Sequence, residues 1–392
     1  MPSRSRTSIC REGWYYVLLV VAVFTWAMLL EVNLLLIVAG MLCGPLVLGW
    51  SMPVAALRRV RIRRRAPRAM HAGESVTIEV GLRNQGRRAG AWAVVVRDRV
   101  CPDGPQPNGP PLTPSMFFPR LAAGATCRGT YRLHLPRRGR YRLGPLDVST
   151  RFPFGLFRRT VTVETSDVLT VFPRLGRLTS AWSMECPEVV EGTQGAGRAT
   201  RTPGEYFAVR EWQSGDSVRW VHWRSTARHG TLVVRQFEQT RGRDVALLVD
   251  LWQPEDPQPQ DLENVELAVS FVATVAVAQC RRQNSNLLLE VAGDRPTSVY
   301  GPTSEVLANE VLHALAVIRA TSESDGWRRL EAALGRLRPN TAILVVTTRR
   351  TEPEGLRHLD AARAACHPAM ALGRTYTIST ADPKLAEYFR LE

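Results

Sequence analysis

Two apolar stretches separated by only a few residues constrain this chain more than anything else in it. The first runs from about Trp14 to Leu30 and the second from about Asn33 to Trp50, joined through Glu31 and Val32. Each approaches the ~20 residues that cross a ~30 Å hydrocarbon core at ~1.5 Å per residue, and so short a connection makes the two helices antiparallel. Arginines flank the outer ends of both stretches while the connection carries none. The positive-inside rule therefore expects a multi-pass cell-membrane protein with both chain ends and the bulk of the chain in the cytoplasm. Trp14, Tyr15, Tyr16 and Trp50 fit an interfacial aromatic belt. A cleaved leader is the competing reading of Arg11 and the first apolar run. Against it, no small-x-small cleavage site follows and a second apolar stretch does.

The net charge of +15 has the same focus, because residues 1–70 hold ten arginines against Glu12 and Glu31. About half the excess sits beside the hairpin, which argues against nucleic acid as the partner, and no reader module accompanies it. Arg58, Arg59, Arg61, Arg63, Arg64, Arg65 and Arg68 read as a stop-transfer flank or as a lipid-recognition site. At ~1 kcal/mol per arginine near an anionic leaflet, either would hold the following domain against membrane lipids. Seven cysteines form an odd set without C-x-x-C spacing, so neither a zinc site nor a disulfide framework is expected. The histidines are scattered as well, with His222 and His229 in a basic stretch that reads as extended. No cofactor is expected.

Beyond the hairpin, short alternating segments divided by Gly and Pro predict a β-sandwich of Ig-like type over residues 70–175. Ser75 to Leu82, Ala93 to Asp98, Thr130 to Leu135 and Thr160 to Val163 read as strands, with Cys101 to Pro119 as a proline-rich loop. Gly139 to Gly144 and Pro153 to Phe157 read as turn-plus-aromatic corners. From Asp244 the pattern becomes α/β. Val245–Leu251, Asn286–Val291, Ala342–Thr347 and Arg374–Ile378 read as strands, and Asp261–Gln283, Glu305–Arg319, Trp327–Leu337 and Leu356–Cys366 as helices. Such alternation implies a mainly parallel sheet. The expected organisation is a cytoplasmic N-terminus (1–13), a transmembrane hairpin (14–50), a basic juxtamembrane segment (51–69), the sandwich (70–175), a linker (176–243) and the α/β domain (244–392).

The linker carries the densest run of charge and aromatics, from Arg210 to Arg228. Gly215-Asp216 reads as a tight turn, and Arg210, Glu211, Asp216, Arg219, Arg224 and Arg228 have the composition of a bidentate arginine–carboxylate network. Trp212, Trp220 and Trp223 would pack on guanidinium planes. Two readings stay open, a clamp between the domains or a docking surface for an acidic segment or a phosphate. A hydrolase using Glu211, Asp216 and His222 is the enzymatic alternative. Against it, the chain shows no nucleophile elbow, Gly-rich phosphate loop or metal-spaced histidines.

A set of motifs resembles the family catalogued as domain of unknown function 58, over nearly the whole chain. It consists of Gly139-Arg140-Tyr141-x-Leu143-Gly144-Pro145, Pro153-Phe154-Gly155-Leu156-Phe157, Arg210-Glu211, Gly215-Asp216-x-x-Arg219, Trp223-x-x-Thr226-Ala227-Arg228 and Arg235-Gln236-Phe237-Glu238. Trp212 stands where the family usually has tyrosine, and Phe152 replaces an acidic residue. The resemblance implies that the α/β domain is similar to the von Willebrand factor A fold. It implies as partners a MoxR-type AAA+ ATPase and a transglutaminase-like membrane protein, and it brings no established catalytic activity. The expected function is accordingly a membrane-anchored, non-enzymatic adaptor.

Metal-binding von Willebrand A domains place Asp-x-Ser-x-Ser at the end of the first strand, supplying hard oxygens to magnesium. The matching positions here are Asp250, Trp252 and Pro254. An indole and a pyrrolidine offer no oxygen, so Asp250 is expected to cap nearby backbone, with a residual metal role as its weaker reading.

Overall fold

A computed structural model describes residues 3–31, 33–86, 90–103, 111–190, 206–213, 218, 221–237, 244–282, 285–323, 326–335, 337, 341–349 and 375–391. The chain divides into two compact units, Met1–Arg174 and Leu175–Glu392.

The first unit runs through β1 (Ser3–Ile9), α1 (Arg11–Leu29), α2 (Asn33–Leu57), β2 (Val60–Arg65), β3 (Ala69–His71), β4 (Ser75–Asn84) and β5 (Ala91–Arg97). It continues through β6 (Val100–Pro102), β7 (Ser115–Leu121), β8 (Thr126–His134), β9 (Gly139–Leu143), β10 (Leu146–Thr150), β11 (Phe157–Val163) and β12 (Asp167–Phe172). The strands form three sheets, ordered β1-β11-β10-β5-β7, β2-β4-β8 and β3-β12-β9-β6. In β4 the period of two is plain: Ile78, Val80 and Leu82 are fully buried, while Thr77, Glu79 and Gly81 face the other way. They meet Val94 and Val96 of β5, Phe118 of β7, Leu133 of β8 and Leu169 and Val171 of β12 in one core. Burying such a side chain contributes roughly 1.5–3 kcal/mol.

Helices α1 and α2 are long and apolar enough to cross a membrane, and few of their side chains are buried. So much exposed apolar surface is what lipid solvates and water does not. Helix α2 does not end at Trp50. It continues to Leu57, which is buried in the core of the β unit with Ala56 beside it.

The segments flanking the hairpin also differ from expectation. Within the segment expected as the cytoplasmic N-terminus, Ser3–Ile9 form a strand, β1, which pairs along its length with β11, from Ser3↔Val163 to Ile9↔Phe157. The 51–69 segment is not a separate basic spacer, because β2 pairs with β4 from Val60↔Asn84 to Arg65↔Glu79. Strand β1 is polar on both faces and so shows no apolar alternation; its Thr7 and Ser5 hydroxyls accept from Arg159 at 2.6 and 2.7 Å. Both ends of the hairpin are thus built into one β unit and lie on the same side.

Two stretches expected as loops are partly strand. Gly139–Leu143 is the strand β9, paired with β12 and β6, and only Gly144 makes the turn. Gly144 has φ +109°, and a Cβ there would collide with the Thr165 carbonyl oxygen. The proline-rich stretch contributes β6 and β7 at its ends; residues 104–110 lie outside the described set.

The second unit begins with β13 (Gly176–Leu178), α3 (Ser180–Glu185) and α4 (Pro187–Val190), followed by β14 (Tyr206–Glu211), α5 (Trp223–His229) and β15 (Val233–Phe237). Then come β16 (Val245–Asp250), α6 (Pro259–Arg282), β17 (Asn286–Ala292), β18 (Thr297–Pro302), α7 (Glu305–Val317), α8 (Gly326–Leu334), β19 (Ala342–Thr347) and β20 (Thr375–Ser379). A short helix (Leu385–Tyr388) leads into β21 (Phe389–Leu391). The main sheet has the order β18-β17-β16-β19-β20. Its β16–β17, β16–β19 and β19–β20 pairs are parallel, and β17–β18 is antiparallel. The sheet is therefore mixed, with one edge strand that the sequence reading passed over. Every residue of β16 and β19 is buried, as expected for central strands covered on both faces. Leu330, Ala333 and Leu334 of α8 cover one face over Ala246, Leu248 and Leu288.

Residues 176–190 belong to this unit and are not linker. Strand β13 pairs antiparallel with β21, and Trp182, 1% exposed, meets the Phe271 ring edge-on at 5.3 Å. The helix expected over Leu356–Cys366 lies outside the described residues.

Candidate interaction site and strand-end site

The charged segment is a β-hairpin with an elaborated connection. Strands β14 and β15 pair antiparallel, with Arg210 opposite Val234 and Val209 opposite Arg235. The connection returns along the hairpin: the His222 amide donates to Val233 O at 2.8 Å, and the Trp212 amide donates to Leu232 O at 2.8 Å. His222 is not in an extended stretch; it caps α5, its Nδ1 accepting from the Ser225 amide at 3.1 Å. Gly230 ends the helix in the left-handed region, with its amide on Thr226 O at 2.9 Å. The Thr226 hydroxyl accepts from the Val233 amide at 3.1 Å, tying helix to strand.

This framework leaves large apolar side chains facing outward. Trp223 is 65% exposed and Trp212 38%, with Val218 and Leu232 exposed nearby in the same connection. Glu211 and Arg228 are exposed as well. Gly215, Asp216, Arg219 and Glu238 lie outside the described residues, as do the side chains of Arg210 and Arg235.

The second site is the carboxyl end of the main sheet. Asp250 closes β16, 1% exposed, and its Oδ2 accepts from Arg349 Nε at 2.9 Å and from the Thr347 hydroxyl at 3.1 Å. The Arg349 guanidinium also lies over the Trp252 ring, 5.0 Å from its centroid. Burial holds the Asp250 carboxyl above the usual aspartate range, an effect that Arg349 and Thr347 oppose. Thr348 seals the corner, with its hydroxyl accepting from the Trp252 amide at 2.9 Å and donating to the Trp252 carbonyl at 2.6 Å. The donor set does not fit magnesium: Trp252 and Pro254 bring no side-chain oxygen, and Oδ2 of Asp250 already meets a guanidinium. Among the described residues no cluster of three or more His, Cys, Asp or Glu side chains is arranged to hold a metal ion. Arg349 was not legible as a partner, since it follows a different strand 99 residues later.

Of the seven arginines expected at the membrane surface, Arg64 is elsewhere. Alternation along β2 puts Arg61, Arg63 and Arg65 on the exposed face, and Arg58, Arg59 and Arg68 are exposed too. The Arg64 side chain points inward and is 1% exposed. Its Nη1 donates to both Asp98 carboxylate oxygens at 2.8 and 2.9 Å, and its Nη2 to Asp167 Oδ2 at 2.7 Å and Leu143 O at 2.9 Å. The Tyr131 hydroxyl donates to Asp98 Oδ2 at 2.7 Å, and burial pushes its pKa far above the ordinary tyrosine range. In the first strand after the hairpin, therefore, a buried ion cluster binds β2 into the β unit.

Comparison with known proteins places the charged hairpin and most of the α/β sheet together. Residues 208–370 match the family described as "Protein of unknown function DUF58". The match begins inside β14 and leaves out the hairpin helices and the β unit, so the corner motifs around Gly144 and Phe154 fall outside it. "Uncharacterized protein YeaD" of Bacillus subtilis (strain 168) is 26% identical over 184 residues, 46% of this chain. The alignment takes in 45% of that protein, so the chain spans about half the length of this relative. Among solved structures, the CARDB domain of PF1109 from Pyrococcus furiosus is 13% identical over 29% of this chain and 94% of its own, with a TM-score of 0.20. A superoxide reductase (neelaredoxin) from Ignicoccus hospitalis is 14% identical over 28% of this chain and 78% of its own, also at 0.20. Likeness at that level carries no argument about either unit. What the comparisons establish is that the segment holding the exposed tryptophans and Asp250 is similar to the DUF58 family.

Proposed function

We propose that this protein is a membrane-anchored, non-enzymatic adaptor that docks a MoxR-type AAA+ ATPase through the exposed face of the β14–β15 hairpin. The observation that carries the reading is the outward display of Trp212 and Trp223 on a framework whose backbone is internally bonded. Tryptophan and arginine are the residue types that dominate interface energetics, and a rigid platform limits the entropy lost on binding. His222 has its Nδ1 committed to a helix cap, which favours scaffold over catalytic base.

Three sheets, antiparallel except for the β3–β12 pair, that contribute to one core support an Ig-like sandwich. The order β18-β17-β16-β19-β20 with an antiparallel outer strand supports a von Willebrand factor A-like domain. In open sheets of this order ligands bind beyond the carboxyl ends, where the order reverses; between β16 and β19 that place is held by Asp250 and Arg349. The arginine distribution supports a cytoplasmic position for both units, with a transglutaminase-like membrane protein as a further partner.

The test is co-purification from native membranes of tagged full-length protein, wild type beside Trp212→Ala/Trp223→Ala, with and without ATP. The reading expects an AAA+ ATPase with the wild type, reduced at least tenfold with the folded variant. Equal recovery with both would move the docking surface elsewhere.

A further inference from the structure

A groove of about 440 Å³ opens on the outer face of the five-stranded sheet, lined by Val95, Arg97, Phe117, Ser149, Arg151 and Arg158 among others. Alternation along β5, β7 and β10 explains the face: Val94, Val96, Phe118 and Val148 point into the core, so Val95, Phe117 and Ser149 point out. The loop between β10 and β11 forms one wall through Phe152 and Pro153.

That loop is also where the β unit touches the hairpin. The Cys10 amide donates to Leu156 O at 2.8 Å, and a Cβ at Gly13 would collide with the same carbonyl. On the other helix, Gly49 lies against the Phe157 ring, and Trp50 meets that ring edge-on at 5.7 Å. Cys10–Gly13 and Gly49–Trp50 are the ends of the two apolar stretches, on the same side of the hairpin. The groove therefore lies next to the level where hydrocarbon gives way to headgroups. Phe154, half exposed, projects from the same loop.

The charged residues that line the groove are all arginines. Among the described residues, none of Arg97, Arg151 and Arg158 is in an ion pair with a carboxylate. Asp147, which opposes Arg97 across the ladder, is engaged by Arg99 at 3.6 Å and by the Thr162 hydroxyl at 2.6 Å. Clustered guanidiniums repel one another until an anion joins them, and their planar forks match phosphate oxygens bidentately. Phe117, 63% exposed, gives the groove an apolar wall beside its cationic one.

We propose that this groove binds the phosphate headgroup of an anionic membrane lipid, with Arg97, Arg151 and Arg158 on the phosphate and Phe117 against the glycerol backbone. The proposal rests on the reading that α1 and α2 span the membrane. It assigns lipid recognition to a formed groove on the sandwich, distinct from the exposed arginines of β2.

The experiment uses full-length protein in mild detergent, titrated with phosphatidylglycerol, phosphatidylcholine or inorganic phosphate, with bound species counted by native mass spectrometry. Wild type is expected to retain phosphatidylglycerol at least tenfold better than phosphatidylcholine, and Arg97→Gln/Arg151→Gln/Arg158→Gln to lose that preference. Arg61→Gln/Arg63→Gln/Arg65→Gln, on β2, is expected to keep it. Should the triple groove variant unfold, Arg97→Gln alone, at an exposed strand position, is expected to weaken retention severalfold. Equal retention of the two lipids, or a preference that survives the groove variants, overturns the proposal; so does a groove that takes inorganic phosphate as well as it takes the lipid. Carbonate extraction of native membranes separates the two readings. An integral protein without lipid preference defeats the groove alone, whereas an extractable protein defeats the spanning hairpin with it.

Discussion

Replacing Arg64 by alanine removes the centre of the buried cluster and leaves Asp98, whose side chain has no exposure, with Tyr131 as its remaining side-chain donor. Breaking a buried ion pair from one side typically costs 3–5 kcal/mol, because the partner stays charged and desolvated. At about 1.4 kcal/mol per tenfold change in an equilibrium, that corresponds to a loss of roughly a hundred- to a few-thousand-fold in the folding equilibrium of the β unit. Hydrogen exchange of full-length protein in lipid nanodiscs reads this unit separately from the other, through the slowest amides of β4 at Ile78, Val80 and Leu82. Protection there is expected to fall by that factor in Arg64→Ala. In Arg63→Ala, on the exposed face of the same strand, it should change by less than about threefold, as surface substitutions do. Equal and small effects in the two variants would refute the reasoning and return Arg64 to the membrane-facing set.

Four further outcomes are expected. Burial, with Glu185 beside it, pushes the Cys186 thiol up to about 12, so it should resist alkylation at pH 8 in native protein while Cys127 reacts; equal rates would contradict its burial. Because the folded state holds that proton more tightly, its contribution to stability is complete below the ordinary thiol pKa and is lost as pH rises towards 12. Denaturation midpoints measured from pH 8 to 11 for wild type and Cys186→Ala check the sign. Gly144→Ala is expected to cost about 2 kcal/mol or more, since the backbone there is left-handed and Thr165 O occupies the Cβ position; a thermal shift within error of wild type would exclude that geometry. Trp182→Ala should destabilise the second unit by about 3–5 kcal/mol, measured by exchange at β16 amides, because it leaves a cavity against Phe271.

Much of the fold was legible, and the failures have physical causes. Strands with one buried face, such as β4 and β5, announce themselves by alternation, and β16 and β19 by continuous apolar runs bracketed by polar residues. Strand β1 lies at a sheet edge with polar residues on both faces, so its pattern resembles a tail. Strand β2 hides its alternation because one inward position is an arginine; a charge-based reading counts Arg64 with its neighbours, although Asp98, its partner, lies 34 residues away. Strand β18 is an edge strand whose positions are exposed or half-buried except Gly301, whereas helices between parallel strands are long and periodic. In the candidate site, Trp212 and Trp223 are exposed where the sequence leads one to expect them packed on guanidinium planes, and the His222 cap and the Asp250–Arg349 pair depend on geometry that spacing alone does not encode.

The most direct test of the adaptor reading is a photo-crosslinking amino acid placed at Trp223 of the full-length protein in native membranes, activated with and without ATP. The account predicts an ATP-dependent adduct with an AAA+ ATPase. An adduct formed only within the chain, between this hairpin and the β unit, would contradict it and make the charged segment an internal clamp.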